Sequence, residues 1–145
     1  MSHTEFMKEA LKEARLAFDK AEVPVGAVIV KEDSIIARAH NLIERNSDPT
    51  AHAEVLAIKE ASKELSTWRL EGCSLYVTLE PCTMCIGAIK QARISEVYFG
   101  CFDEKFGACG SLYDLSGEVE VFAEILANES KGLLREFFEK LRPRS

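Results

Sequence analysis

The sequence of 145 residues has no long hydrophobic run. Its longest apolar stretch, 23–30, is interrupted by Pro24 and Gly26 and is too short to cross a bilayer. The first residues have neither the basic end nor the apolar core of a signal peptide. We therefore expect a cytoplasmic protein with no membrane segment.

Positive charge is also in short supply. The chain has 18 Lys and Arg residues against 24 Asp and Glu residues, for a net charge of −6. This balance disfavours a nucleic-acid partner, because phosphate binding draws on cationic side chains. Only the stretch 131–144 is locally basic. Its cations either contact phosphates or complement the dipole of a C-terminal helix, and the sequence leaves both open.

Five cysteines, an odd number without a sign of secretion, disfavour a disulfide framework and favour reduced thiols or metal ligands. Hydrophobic residues make up 47% and charged residues 29% of the chain, which is ordinary for a globular protein. No repeat or low-complexity segment interrupts it. We expect one domain spanning residues 1–145.

Hydrophobic periodicity predicts alternating helices and strands. Ser2, with Glu5 three residues later, predicts a capping box at the start of a helix. The runs 25–30 and 35–39 predict a hairpin that turns at Asp33-Ser34. The later elements are a helix from Thr50, a strand 75–79, a helix from about Pro81, a strand 94–99, a mostly irregular segment 101–115, a strand 119–122 and an amphipathic C-terminal helix. This alternation predicts an α/β fold with the sheet between helices.

Two short runs contain the residue types of a metal site: His52-Ala53-Glu54 and Pro81-Cys82-Thr83-Met84-Cys85. His-Ala-Glu alone is usually a helix fragment, and Cys-x-x-Cys alone is redox-active, structural, incidental or zinc-binding. At the start of a helix, residues three apart lie on one side, and the helix N-terminus favours the thiolate that a metal binds.

Inside a regular helix His52 and Glu54 would point roughly 200° apart. We therefore place both in a first turn capped by Thr50, so that two helix N-termini meet at one ion. His52, Cys82 and Cys85 are the predicted zinc ligands. Three ligands leave one tetrahedral position for water, as in catalytic rather than structural zinc sites. Glu54 is the predicted carrier of the water's proton.

The two runs together match the signature of zinc-dependent nucleobase deaminases, His-x-Glu followed by Pro-Cys-x-x-Cys. The sequence therefore predicts hydrolytic release of ammonia from a base. Two alternatives remain open. A deaminase of free guanine, cytosine or a nucleotide would use the same four residues, and a non-catalytic zinc module would add a fourth protein ligand.

Segments around these motifs match a known family. They are 22–28, 48–54, 75–85, 87–88, 93–94, 99–100, Asp103, Lys105, 107–108, 110–112 and 137–138. Through them the sequence resembles the bacterial tRNA-specific adenosine deaminases of the cytidine deaminase superfamily. The resemblance implies a three-layer α/β/α sandwich with a central mixed sheet of about five strands. It also implies conversion of adenosine to inosine at the wobble position of tRNA anticodons, by a homodimer with one Zn²⁺ per subunit.

The same resemblance implies roles for individual residues. The predicted metal ligands and the proton carrier match the family's own. Further positions are assigned to substrate binding: Pro24, Asn41, Ala53, Asp103 and Lys105. Asn41 matches the asparagine that binds the base ring, with a simple turn residue as the alternative. Asp103 and Lys105 fall in the loop that contacts nucleotides beside the target.

The sequence departs from the family pattern at two places. Family members usually carry a longer segment after the position of Asp114, often with Asn-His-Arg, whereas here 115–118 leads directly to Val119 without a histidine. Cys101 and Phe102 also stand where smaller or more polar residues are usual. The remaining candidates are interpreted as packing residues, buried or free thiols, or incidental residues: His3, His40, Trp68, Cys73, Cys101, Cys109, Phe137 and Phe138.

Overall fold

The computed structural model describes residues 1–141. Arg142 and Arg144, which belong to the basic stretch 131–144, lie outside the described residues. Within the described part of the chain, no helix has the length and apolar character needed to span a membrane.

Helices and strands follow one another in the predicted order, with one short helix added. The elements are α1 (His3–Asp19), β1 (Gly26–Lys31), β2 (Ser34–His40), α2 (Ile43–Asn46), α3 (Ala53–Leu65), β3 (Cys73–Leu79), α4 (Thr83–Gln91), β4 (Glu96–Cys101), β5 (Glu120–Phe122) and α5 (Ala127–Leu141). The additional element is α2, which has only four residues.

The predicted capping box opens α1. Ser2 is the N-cap, and its Oγ accepts a hydrogen bond from the Glu5 backbone N–H at 3.2 Å. The buried face of this helix packs directly on β1 at Gly26, where a Cβ atom would overlap the backbone of Ala10 and Ala14. Glycine at this position therefore allows the helix and the strand to approach closely.

The predicted hairpin is confirmed, although its turn lies one residue earlier than predicted. Lys31 pairs with Ser34, so Glu32 and Asp33 form the two-residue turn. Their φ angles are 50° and 64°. Two positive φ values are what a type I′ hairpin turn requires, and that turn matches the twist of the flanking strands. The prediction of Asp33-Ser34 is wrong because Ser34 already belongs to β2.

The five strands form one mixed sheet in the order β2-β1-β3-β4-β5. The pairs β1–β2 and β1–β3 are antiparallel, and the pairs β3–β4 and β4–β5 are parallel. Helices α3 and α4 pack on one face and α1 and α5 on the other. The predicted three-layer α/β/α sandwich is confirmed.

The arrangement of the layers determines where a site can form. The chain leaves the carboxyl end of β3 and enters α4 after three intervening residues. Helix α3 packs beside α4 on the same face. Ligand sites in open α/β sheets form outside the carboxyl ends of the parallel strands. A ligand-binding or catalytic site is therefore expected at the starts of α3 and α4.

The structure corrects three local predictions. The N-cap of α3 is His52 rather than Thr50, whose N–H and Oγ both bond to Asp48 Oδ1, at 2.8 and 2.7 Å. Trp68, interpreted from the sequence as a packing residue, is 54% exposed, with the Arg69 guanidinium 4.6 Å from its ring centroid. Phe137 is buried as predicted, whereas Phe138 is 50% exposed.

Candidate active site

One imidazole and two thiols meet where α3 and α4 begin. His52 is the N-cap of α3, Cys82 is the N-cap of α4, and Cys85 lies in the first turn of α4. His52 Nδ1 is 3.7 Å from Cys82 Sγ and 3.5 Å from Cys85 Sγ. The three ligand atoms all lie within 4.8 Å of one another. Two helix N-termini thus bring the three residues together.

These donors fit a zinc ion. Zinc bonds of about 2.0 Å to nitrogen and about 2.3 Å to sulfur put a nitrogen and a sulfur about 3.5 Å apart in a tetrahedron. The two nitrogen–sulfur distances in the structure, 3.7 and 3.5 Å, match that spacing. Within residues 1–141 no fourth His, Cys, Asp or Glu joins the group. The arrangement therefore offers three protein ligands and one open position.

Hydrogen bonds among the three side chains favour a thiolate. The Cys85 thiol and the His52 imidazole both hydrogen-bond to Cys82 and lower the pKa of that thiol to about 4. The same bond to Cys82, together with burial, raises the pKa of Cys85. The hydrogen bond to Cys82 also raises the pKa of His52. Cys82 is thus the first thiolate of the group, which is the form that binds a metal.

Glu54 lies next to this group in the first turn of α3. Its side chain is only 4% exposed. Burial, which penalises the charged form, raises the pKa of Glu54 to about 7. A carboxyl group with a pKa near neutrality can both accept and release a proton at physiological pH.

Asn41 is held against the start of α3. The backbone N–H of Ala53 donates to Asn41 Oδ1 at 2.8 Å, and the Asn41 backbone N–H donates to Val25 O at 3.1 Å. The side chain is 6% exposed and borders a cavity. Because Oδ1 is occupied, the Nδ2 group is the part of the side chain that remains for a ligand.

A cavity of about 860 Å³ connects these groups. His52, Cys82, Glu54 and Asn41 line it together with Asp103 and Lys105 of the β4–β5 connection. Its apolar lining comes from both sides of the sheet edge: Val23, Val25, Ile43, Leu79, Phe102, Phe106, Leu134 and Phe138. The structure therefore brings two of the three predicted metal ligands, Glu54 and three of the five predicted substrate residues to one cavity. The third ligand, Cys85, is fully buried beside the other two.

The other two predicted substrate residues do not line the cavity. Pro24 is buried between Val23 and Val25, which do line it. The Ala53 side chain is fully buried, and the residue takes part through its backbone N–H to Asn41.

Known proteins share both the sequence and the fold. The profile of the MafB19-like deaminase family matches residues 1–142. A tRNA-specific adenosine deaminase of Bacillus subtilis is 52% identical over 143 residues, which cover 94% of this chain and 89% of that protein. The chain belongs to the tRNA-specific adenosine deaminases. Deaminase relatives thus match nearly the whole described fold.

Solved structures of deaminases support the same assignment. One, from a study of A-to-I editing by tRNA:A34 deaminases, superposes with a TM-score of 0.85 at 42% identity and covers 90% of this chain and 99% of that chain. A guanine deaminase from Bacillus subtilis superposes with a TM-score of 0.68 at 43% identity, over 70% of this chain and 66% of that chain.

Two buried carboxyl groups of this deaminase were missed by sequence reasoning. Glu22 is 2% exposed and accepts the backbone N–H groups of Glu44 and Arg45, at 3.0 and 2.8 Å. Glu80 is equally buried and accepts several N–H groups of the β4–β5 connection. Both stand within segments that resemble the family, but no local pattern shows which distant amides a carboxyl group will meet.

The remaining cysteines of the deaminase are buried free thiols, as predicted: Cys73, Cys101 and Cys109. His40 hydrogen-bonds to Glu13, with Nδ1 2.9 Å from Oε1. His3 stacks on Tyr98 with 4.4 Å between ring centroids. Neither histidine lies near the metal group, and both have packing roles.

Proposed function

We propose that this chain hydrolyses adenosine to inosine at the wobble position of tRNA anticodons, as a cytoplasmic homodimer with one zinc ion per subunit. The observation that carries the proposal is the buried carboxyl of Glu54 beside a three-donor metal group, with Glu54, His52 and Cys82 bordering one cavity. The name of the Bacillus subtilis relative supplies the substrate.

His52, Cys82 and Cys85 would hold the zinc ion. Bound there, zinc supplies the Lewis acidity that makes water a nucleophile near neutral pH. The low pKa of Cys82, caused by its hydrogen bonds to Cys85 and His52, favours metal binding at neutral pH.

Glu54 moves the protons of the reaction. Its carboxylate accepts a proton from the attacking water and passes it to a ring nitrogen of adenine. The water oxygen bonds to C6, and the bond from C6 to the exocyclic nitrogen then breaks. Glu54 takes the remaining proton from the C6 hydroxyl and delivers it to the departing amine, so that ammonia leaves, C6 becomes a carbonyl carbon and inosine remains. Burial supports this role, because it brings the pKa of Glu54 to about 7.

Asn41 orients the base. Its Oδ1 is already bonded to the N–H of Ala53, so its amide N–H groups are directed to a ring-nitrogen acceptor of the purine. That bond also ties Asn41 to the helix turn that contains Glu54, which keeps the base and the proton carrier in a constant relation.

The cavity supports a nucleic-acid loop rather than a free base as substrate. Its volume of about 860 Å³ is near the upper end of the range of about 300 to 1,000 Å³ for small-molecule sites. Three exposed aromatic rings line it, those of Phe102, Phe106 and Phe138. Unpaired bases stack on such rings, and stacking does not depend on the positive charge that this chain lacks.

The surface supports the homodimer. Several large apolar side chains are exposed on α4 and on the connection that follows β4: Met84, Leu112, Tyr113 and Leu115. Exposed apolar side chains grouped in this way often mark a protein–protein interface. A second copy of the chain is the proposed partner.

The test compares substrates. The zinc-loaded protein is incubated with an anticodon stem-loop that has adenosine at the wobble position, with the same stem-loop carrying guanosine there, and with free adenine, guanine and cytosine. We expect inosine and ammonia from the adenosine stem-loop alone. Activity only on free bases would establish the alternative, a deaminase of a free base. The similarity to a guanine deaminase structure is the observation that favours this alternative. Zinc binding without any turnover would indicate a non-catalytic module.

A further inference from the structure

Glu80 is a buried side chain that the proposed chemistry does not use. It follows β3 directly, two residues before Cys82, and is 2% exposed. Its Oε1 accepts the backbone N–H of Asp103 at 2.9 Å. Its Oε2 accepts those of Cys109 at 2.9 Å and Ser111 at 3.0 Å. The Ser111 hydroxyl donates to Oε1 as well. Every one of these partners lies in the connection between β4 and β5.

The connection folds tightly around this side chain. A Cβ atom at Gly107 would overlap the Glu80 carboxyl group, so glycine allows the backbone to approach it. The Ala108 N–H donates to Pro81 O at 2.9 Å, and Gly107 forms an isolated bridge with Cys82. The connection is thus bonded to the same short segment that supplies a metal-binding sulfur.

Residues 102–106 of this connection form one wall of the cavity. They contain no helix or strand, and their own polar contacts are short-range, such as the bonds of the Lys105 and Phe106 N–H groups to Asp103 Oδ1. Long-range order therefore comes from the bonds to Glu80 and Pro81. A loop without these bonds would sample other conformations.

We propose that Glu80 is a positioning residue, which holds the loop 102–111 at a set distance from the metal group and thereby determines binding of the nucleotides beside the target adenosine. The part about nucleotides rests on the proposed function. The part about the loop rests only on the bonds described above. Glu80 itself touches neither metal nor base in this proposal.

The main test variant is Glu80→Gln. Glutamine has the same length, but its amide nitrogen would face backbone N–H groups that need an acceptor, so at least one bond of the set is lost. A milder variant, Ser111→Ala, removes the hydroxyl bond and leaves the carboxylate. Glu96→Gln is the matched control, because Glu96 accepts hydroxyl bonds from Ser74 and Tyr98 at the other end of the sheet.

The zinc-loaded proteins are compared in two kinds of measurement. The first is the steady-state rate of inosine formation on the adenosine stem-loop, which separates KM from kcat. The second needs no substrate: hydrogen exchange at the backbone N–H groups of Asp103, Cys109 and Ser111, and the rate of trypsin cleavage after the exposed Lys105. Zinc content and Tm are measured for every variant.

For Glu80→Gln we expect full zinc content and a KM raised about tenfold, as for a loss of about 1.4 kcal/mol in binding. Because uniform binding is what is lost, kcat should change little. Hydrogen exchange and trypsin cleavage in the loop should be faster than in the wild type. Ser111→Ala should show smaller increases in KM, exchange and cleavage. Glu96→Gln should match the wild type in all three.

A wild-type KM for Glu80→Gln, or unchanged exchange in the loop, would overturn the proposal. So would a Glu80→Gln protein that fails to fold while Ser111→Ala behaves as wild type, since the role would then be structural alone. If the wild type forms no inosine, the proposed function fails, while exchange and cleavage still decide whether Glu80 holds the loop.

Discussion

The side-chain Oδ1 of Asn41 lies 2.8 Å from the backbone nitrogen of Ala53 and accepts its hydrogen bond. Ala53 stands between His52 and Glu54 in the chain. The bond therefore joins the residue proposed to orient the base to the turn that contains a proposed metal ligand and the proposed proton carrier. Because this bond occupies Oδ1, the NH₂ group of Asn41 is the part of the amide that is directed to a substrate.

The variant Asn41→Asp tests the donor group of this amide separately from its acceptor. Aspartate keeps an acceptor for the Ala53 N–H but replaces the NH₂ donor by oxygen. We expect wild-type zinc content and Tm, with kcat/KM on the stem-loop reduced about 10- to 100-fold for about 1–3 kcal/mol of lost recognition. Asn41→Ala should in addition lower the free energy of unfolding by about 1–3 kcal/mol, because a buried N–H loses its partner. Full activity of Asn41→Asp would mean that Asn41 is a turn residue only.

Glu54→Gln tests the proton carrier. The amide has nearly the same shape but cannot accept and release the proton, so kcat should fall by about 10²- to 10⁴-fold. Zinc content, measured by elemental analysis, should stay at the wild-type value because Glu54 is not a ligand. The exposed Glu60 on the same helix provides the control, and Glu60→Gln should keep full activity. Turnover by Glu54→Gln at the wild-type rate would contradict the mechanism.

Removal of zinc should abolish turnover and lower Tm. A ligand that binds only the folded state adds about 2.7 kcal/mol at a concentration one hundred times its Kd. Dialysis against a chelator is expected to produce both losses, and added zinc should reverse them. Cys82→Ser should bind zinc weakly. Cys73→Ala, which alters a buried thiol outside the metal group, should lower Tm but keep the zinc. An active chelated protein would refute the metal requirement.

Local chemistry explains why part of the fold could be predicted from the sequence. The bond from Ser2 to Glu5 joins residues three apart, and the strands of the hairpin follow from β-branched runs. The metal group could be predicted for a related reason. His52 and the pair Cys82 and Cys85 all lie at helix starts. There, the spacing of residues in the sequence is enough to predict which side chains lie on the same side of the helix.

The remaining features depend on specific side-chain contacts that the hydrophobic pattern does not show, some with neighbours in the chain and some with distant residues. Helix α2 has four residues and is held by the Glu22 carboxyl, so its own sequence contains little signal. Thr50 is a residue type that often caps helices, but here its N–H and hydroxyl groups donate hydrogen bonds to Asp48 Oδ1. Trp68 would pack in a core by its chemistry, yet it lies on the surface beside Arg69. The role of Glu80 depends on a loop more than twenty residues away along the chain.

Gly26→Ala should disrupt the contact between α1 and β1. A Cβ atom there would overlap backbone of Ala10 and Ala14, which cannot rotate away. We expect the free energy of unfolding to fall by about 1–3 kcal/mol or more, as for other overpacked cores. Gly132 lies within α5 with nothing near its Cβ position, so Gly132→Ala should instead stabilise by about 0.5–1 kcal/mol. Denaturant unfolding measures both, and equal effects would refute the close approach.

Truncation of the adjacent Phe137 and Phe138 on α5 should affect different properties, stability for Phe137 and substrate binding for Phe138. Phe137 is buried, with its ring centroid 6.0 Å from that of Phe18 on α1, whereas Phe138 is 50% exposed and lines the cavity. Phe137→Ala should therefore lower the free energy of unfolding by about 3 kcal/mol and leave the KM of the folded protein unchanged. Phe138→Ala should change stability by no more than about 0.5 kcal/mol, but raise the KM for the stem-loop, because a stacking surface is lost. Thermal unfolding and steady-state kinetics on the same samples distinguish the two. A lower Tm with unchanged KM for Phe138→Ala would place that ring in the core, as its sequence pattern alone indicates.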